Sequence, residues 1–174
     1  AMVGMFVMSF HNIIDTFFIS RYIGTIGVGA LSIALPVQMI ITALAGSVGI
    51  GGGSIISRRL GSKELDEANL VLGNVLSIVV VISIIGVLLG FKLLTPILYL
   101  FGSTDTLLPF ASDYLGIILY GTPFFVYSMA MNNIIRSEGS AKAAMVSMLI
   151  SAILNIILTP IFILYLNMGV KGAA

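Results

Sequence analysis

Long runs of uncharged, mostly apolar residues alternate with short charged segments along this chain. Each uncharged run exceeds the roughly 18 apolar residues that indicate a membrane span. The runs cover 22–57, 68–91, 114–135 and 143–170, and the first twenty residues form another apolar segment. The pattern predicts helices near 1–20, 28–57, 70–101, 112–136 and 143–166. We therefore predict an all-α fold, a polytopic membrane helix bundle with about five transmembrane helices.

Composition supports this class and argues against others. Of 174 residues, 59% are hydrophobic and 9% are charged, which leaves too little polar surface for a water-soluble domain. The net charge of +1 predicts no nucleic-acid partner, and without cysteine the chain has no disulfide or thiolate metal site. The sequence contains no H-E-x-x-H, G-x-S-x-G or phosphate-binding G-x-x-x-x-G-K motif. We expect no enzyme and no cofactor.

The two ends suggest a fragment. The chain opens with "AMVGMFVMSF", without an initiator methionine, and closes with "NMGVKGAA", where another apolar helix could begin. We expect residues 1–174 to belong to a longer protein that is truncated at both ends.

Lysine and arginine predict the orientation in the membrane. The segments after the second and fourth predicted helices hold five of these residues, and the opposite side holds three. This bias favours a cytoplasmic location for those two segments and an outside location for the "STD" loop at 103–105.

The two predicted cytoplasmic loops resemble each other. Arg58-x-x-Gly61-Ser62 matches Arg136-x-x-Gly139-Ser140. We expect each glycine to turn the chain and each serine to cap the next helix.

Small residues and prolines also lie inside the predicted spans. Gly49-x-x-x-Gly53 permits close approach of two helices. Pro36, Pro123 and Pro160 free backbone carbonyls and allow kinks, which suits either ordinary packing or bending between two states.

Asp15 is the strongest candidate for chemistry. It is the only acid in the first 63 residues, within the apolar stretch "SFHNIIDTFF". A charge at mid-membrane depth costs at least about 2.5–3.5 kcal/mol, so it indicates a functional site facing a bundle interior or a water cavity. Asn12 and His11 lie three and four residues earlier, on the same helical face. The carboxylate could bind H⁺, or Na⁺ with an amide oxygen nearby.

A polar stripe on the last predicted helix is the second feature. Ser147, Ser151, Asn155 and Thr159 recur every four residues and end at Pro160. Interhelical hydrogen bonding is one interpretation. Beside a buried aspartate on another helix, the stripe is better interpreted as one wall of an aqueous cavity.

Five segments in order resemble the N-terminal part of a MATE (multidrug and toxic compound extrusion) transporter: "NIIDTFFISRYIG", "ALSIALPVQMII", "SRRLGSKELDEA", "IIRSEGSAKAAM" and "LNIILTPIFI". The resemblance implies two six-helix lobes around a central cavity. This chain would supply five helices and the start of the sixth of the N-terminal lobe, with the C-terminal lobe of the same protein as its partner.

The resemblance also implies site residues and an activity. Asp15 matches the coupling acid of helix one, and Asn155 matches an asparagine of the same network. Many relatives have a second aspartate where this sequence has Thr159, which favours H⁺ over Na⁺ here. The implied activity is export of organic cations and amphipathic drugs across the cytoplasmic membrane in exchange for H⁺ or Na⁺. We predict that cation coupling involves Asp15, Asn155 and Asn12. We predict that the transport cavity is lined by His11, Ser151, Thr159 and Tyr127.

Two alternatives stay open. A flippase for lipid-linked saccharides has a related fold, but it would often line its cavity with cationic residues, and none is evident in these spans. A non-transporting membrane scaffold would need neither Asp15 nor the polar stripe.

Overall fold

The computed structural model describes residues 20–21, 24–165 and 172. The predicted helix at 1–20, with His11, Asn12 and Asp15, therefore lies outside the described residues apart from its last position. The helices that follow are α1 (Thr25–Gly61), α2 (Leu65–Lys92), α3 (Leu94–Leu100), α4 (Leu108–Ser137) and α5 (Ala141–Pro160), and α5 continues into a π-helical turn at Ile161–Tyr165. Within this part of the chain, α1, α2, α4 and the stretch Ala141–Ile163 are long and apolar enough to cross a membrane.

The helices predicted after the first are confirmed, with one difference. The predicted helix at 70–101 is broken at Leu93, whose backbone (φ −107°, ψ 13°) separates α2 from α3. Pro96 lies in the first turn of α3, where its missing N–H is tolerated. The same missing N–H could not have bonded the carbonyl of Lys92 in an uninterrupted helix, so the break precedes the proline.

Helix α1 packs in parallel against α4, and both contact α2. Two buried clusters hold the bundle together. One joins the first half of α1 to α3 and the start of α4, through Ala30, Ile33, Ala34, Leu98, Ala111, Tyr114, Leu115 and Leu119. The other joins the second half of α1 to α2 and the end of α4, through Ala45, Ile56, Val75, Val79, Val126, Ala130 and Ile134.

Glycines bring α1 and α4 together at the second cluster. A Cβ atom on Gly49 would lie 2.9 Å from the Cα of Ala130, and one on Gly53 would overlap the side chain of Ser137. Only hydrogen fits at these positions, so the close approach expected from Gly49-x-x-x-Gly53 is confirmed.

The two similar loops turn in different ways. Gly139 has a positive φ of 90°, as expected for a turning glycine. In the other loop the prediction is wrong, because α1 continues through Gly61 and Lys63 adopts the left-handed conformation at φ 62°. In this loop the guanidinium of Arg59 also bridges the turn to the carboxylates of Glu64 and Glu67, at 2.6 and 2.9 Å.

The expected serine caps are wrong in detail as well. Ser62 ends α1 rather than preceding α2, whose N-terminal flanking residue is Glu64. Ser140 does precede α5, but its hydroxyl makes no capping hydrogen bond.

Candidate functional site in helix α5

A polar pair lies near the end of α5. The hydroxyl of Thr159 donates to the amide oxygen of Asn155 over 3.4 Å, one helical turn away. Thr159 is buried, with 3% of its surface exposed, and Asn155 is half-buried. The structure thus brings together two of the residues predicted for the site. Hydroxyl and amide oxygens can accept a proton donor or ligate a hard cation.

The backbone around this pair is irregular. Pro160 ends α5, and Ile161–Tyr165 continue as a π-helical turn. Proline has no N–H to bond the carbonyl four residues earlier, so the carbonyl of Ile156 loses its regular helical donor. Single π turns inside helices often occur at functional sites, because they re-aim nearby groups. The Asn155–Thr159 pair therefore lies directly before an irregular segment of helix.

The four residues of the polar stripe have different contacts and different exposure. At its start, Ser147 lies 3.0 Å from the amide nitrogen of Asn132 on α4, which is interhelical hydrogen bonding. Ser151 is exposed, whereas Asn155 and Thr159 are increasingly buried. The stripe therefore changes from a helix contact at one end to a half-buried polar pair at the other.

Asn132 is the centre of a cluster that fastens α4 to α5. Its amide nitrogen donates to the carbonyl of Ala144 and to the hydroxyl of Ser147, both at 3.0 Å. Its oxygen accepts from the guanidinium of Arg136 at 2.9 Å, and the same guanidinium lies 3.9 Å from the sulfur of Met148. Sequence spacing on α4 alone did not reveal this cluster. The signal was the near-equal distance of Asn132 and Ser147 from the turn at Gly139, which places them opposite each other in a helical hairpin.

Tyr127 lies in a different place from Asn155 and Thr159. It lines an apolar groove of about 330 Å³ between α2 and α4, together with Val79, Ser83, Pro123 and Phe124. Among the described residues, the lining of this groove comes from those two helices. A role for Tyr127 in a transport cavity remains a prediction.

A second polar contact crosses between α1 and α4. The amide nitrogen of Gln38 donates to the hydroxyl of Tyr114 at 3.2 Å. It lies two residues after Pro36, in the half of the bundle away from Gly49. This contact and the Asn132 cluster both join two spanning helices through side-chain hydrogen bonds.

These helices, with polar pairs inside otherwise apolar spans, define a multi-pass helical protein of the cell membrane. The chain belongs to the MatE family, whose model matches residues 1–161.

Curated relatives share this region. An FAD transporter of Shewanella oneidensis is 30% identical over 99% of this chain and 39% of its own length. The multidrug export protein MepA of Staphylococcus saprophyticus is also 30% identical, over 99% of this chain and 38% of its own length. The chain thus spans well under half the length of the curated relatives it matches.

Solved transporters have the same fold. The MATE multidrug transporter DinF-BH is 52% identical with a TM-score of 0.93, covering 99% of this chain and 39% of that one. A MOP superfamily transporter from Pyrococcus furiosus is 31% identical with a TM-score of 0.93, covering 99% and 38%. The predicted resemblance to MATE transporters is confirmed by the family match and by the likeness to DinF-BH.

Proposed function

We propose that this chain is the coupling lobe of a secondary active antiporter that exports organic cations and amphipathic drugs while H⁺ or Na⁺ enters. The observation that carries the proposal is the hydrogen-bonded Asn155–Thr159 pair beside Pro160. A hydroxyl and an amide in an apolar spanning helix are costly to keep there unless they have partners, and they suit an ion site. The names of the relatives, multidrug export protein and multidrug transporter, support the class of substrate.

The mechanism assigns the cation to Asp15. Binding of H⁺ or Na⁺ neutralises the carboxylate of Asp15. Neutralisation changes the hydrogen bonding with Asn155 and Thr159, and so biases helices that contain proline and glycine toward the other access state. Substrate and ion then compete for the cavity. One charge that crosses a potential of 100 mV supplies about 2.3 kcal/mol, which corresponds to a concentration ratio of about fifty.

H⁺ is the better-supported coupling ion of the two. A Na⁺ site prefers several oxygen ligands with enough negative charge to offset dehydration. Thr159 offers a neutral hydroxyl where a second carboxylate would add a charge. A single carboxylate suffices for a proton.

The experiment uses the full-length transporter in proteoliposomes. A pH gradient and then a Na⁺ gradient are imposed, and efflux of a fluorescent organic cation is followed. Asp15→Asn is the test variant, and Asp66→Asn is the matched control, because Asp66 lies in the exposed first turn of α2. FAD is included among the substrates, since one relative is named an FAD transporter.

The outcomes separate the hypotheses. Efflux driven by one gradient, lost in Asp15→Asn and kept in Asp66→Asn, supports the proposal and identifies the ion. Equal efflux by the unmodified protein, Asp15→Asn and Asp66→Asn would show that Asp15 is not required for coupling. If no gradient moves any substrate, translocation of a lipid-linked saccharide in the same vesicles tests the flippase alternative.

A further inference from the structure

The short helix α3 has two unlike faces. Leu98 is completely buried against Ala111 and Leu115 of α4. In contrast, Leu93, Tyr99 and Leu100 are 42%, 46% and 79% exposed. Three large side chains thus extend from one segment of eight residues, away from the bundle core.

The length of α2 fixes the depth of this segment. The uncharged run 68–91 is about 36 Å long at 1.5 Å per residue, which exceeds the roughly 30 Å of a bilayer's hydrocarbon core. Lys92, at the end of the run, is exposed. A charged residue that ends an apolar span is expected at the membrane surface. Helix α3 begins two residues later.

The uncharged run of helix α4 indicates the same depth for α3. Its uncharged run 114–135 is about 33 Å long and is bounded by Asp113 and Arg136. Asp113 is exposed and thus marks the membrane surface at this end of the bundle. Because Leu98 packs between residues on either side of Asp113, α3 lies at the level of the interface rather than above it.

Tyr99 has the arrangement expected of an interfacial aromatic residue. Its hydroxyl donates to a carboxylate oxygen of Asp105 at 2.8 Å, so the polar end is satisfied by the loop. Its ring is half exposed beside Leu100. Tyrosine is enriched at the membrane interface because one end is polar and the other apolar.

We propose that α3 and the preceding residue form an interfacial anchor, in which Leu93, Tyr99 and Leu100 contact phospholipid at the boundary between headgroups and acyl chains. Lys92 complements this contact, because an ammonium group at the surface can pair with lipid phosphate while its stem covers apolar surface. The lipid thereby covers apolar side chains that would otherwise meet water. This inference does not depend on the proposed transport activity.

The test measures depth with tryptophan. These 174 residues contain no tryptophan, so one introduced residue is a single reporter for this region, and the emission of the parent protein is subtracted. The full-length transporter carrying Leu100→Trp is reconstituted in phosphatidylcholine vesicles with bromine either near the headgroup or near the end of the acyl chain. Leu93→Trp is the second reporter, and neither leucine contributes a fully buried side chain.

Two reference variants calibrate the signal. Val81→Trp lies on the exposed side of α2 about 16 Å from Lys92, and should lose more emission to bromine near the chain end. Glu138→Trp lies in the exposed loop before α5, and should lose little emission to either.

We expect the reporters at positions 93 and 100 to lose more emission to bromine near the headgroup than to bromine near the chain end. Little loss with either lipid, as for Glu138→Trp, would overturn the proposal, whether water or another part of the protein covers the face. Greater loss of emission to bromine near the chain end, as expected for Val81→Trp, would overturn it as well, since α3 would then lie within the hydrocarbon core.

Discussion

Gly49 of α1 lies so close to Ala130 of α4 that a methyl group on the glycine would be 2.9 Å from the alanine Cα atom. The obstacle is backbone, which cannot rotate away as a flexible side chain could. We expect Gly49→Ala to destabilise the bundle by about 1–3 kcal/mol, the usual cost of overpacking. Thermal unfolding in detergent, followed by circular dichroism, measures this loss.

Gly51 provides the matched control on the same helix. Among the described residues, no atom outside the adjacent backbone of α1 lies within 4 Å of the position that a Cβ on Gly51 would take. Gly51→Ala should therefore leave stability unchanged or raise it by up to about 1 kcal/mol, because alanine favours the helix over glycine. Equal destabilisation by both substitutions would show that the contact with Ala130 does not limit the packing of α1.

The link between Asn132 and Ser147 should contribute measurable coupling. Polar contacts between membrane helices average about 0.6 kcal/mol in double-mutant cycles. We expect Asn132→Leu and Ser147→Ala to show a coupling of that size in unfolding free energy. Ser77→Ala replaces Ser147→Ala in the control cycle, because the hydroxyl of Ser77 bonds a carbonyl of its own helix. A coupling of zero in both cycles would contradict the assigned link.

We expect the hydroxyl of Thr159 to contribute to transport in addition to the packing of its side chain. Thr159→Val keeps the shape of the side chain and removes the hydroxyl that donates to Asn155. A hydrogen bond of this kind contributes about 0.5–1.5 kcal/mol, so ion-driven efflux should fall by up to about tenfold. Efflux from proteoliposomes at matched protein levels is the measurement.

Thr122→Val is the control for that variant. Thr122 is also buried, but its hydroxyl bonds the carbonyl of Ile118 in its own helix. Its efflux should match that of the unmodified protein. A similar loss in both variants would assign the effect to packing.

The contact between Tyr99 and Asp105 predicts a dependence on high pH. The hydrogen bond to Asp105 raises the pKa of Tyr99 above its ordinary value, and desolvation and the carboxylate charge act in the same direction. Because the pKa is higher in the folded protein, the contact stabilises the fold at neutral pH, and this contribution is lost as the pH rises through the raised pKa. Tyrosine absorbance titrated against pH, with Tyr99→Phe subtracted, measures it. The titration of Tyr99 should move to lower pH in Asp105→Asn, and an unchanged titration would contradict the contact.

The spanning helices were predictable because uncharged runs of this length have few alternatives to a membrane helix. The break at Leu93 was harder to predict, since Leu93 and Leu94 fit an uninterrupted helix and only Pro96 indicates an interruption. In the first loop, Gly61 offered an obvious turning residue. The left-handed residue is instead Lys63, two residues later, and the ion pair of Arg59 with Glu64 that crosses this turn could not be predicted from spacing alone.

From the sequence, the candidate site could be predicted only for contacts within a single helix. A spacing of four residues places Asn155 and Thr159 together, and the structure has that contact. The same spacing also included Ser147, whose partner Asn132 lies on another helix. Helices α4 and α5 form a hairpin, and its pairing decides which residues of the polar stripe contact α4. The position of the turn at Gly139 determines this pairing.

The Asn132 cluster also has a mechanical consequence. It fastens α5 near Ser147, whereas Thr159 lies twelve residues further on, about 18 Å along the axis. We therefore expect any tilt of α5 relative to α4 to have its fulcrum near Asn132. A tilt of about 10° around that fulcrum carries the far end through about 3 Å, as much as the length of a hydrogen bond. The residues most sensitive to such a rotation are the ones farthest from the fulcrum, and these include Thr159.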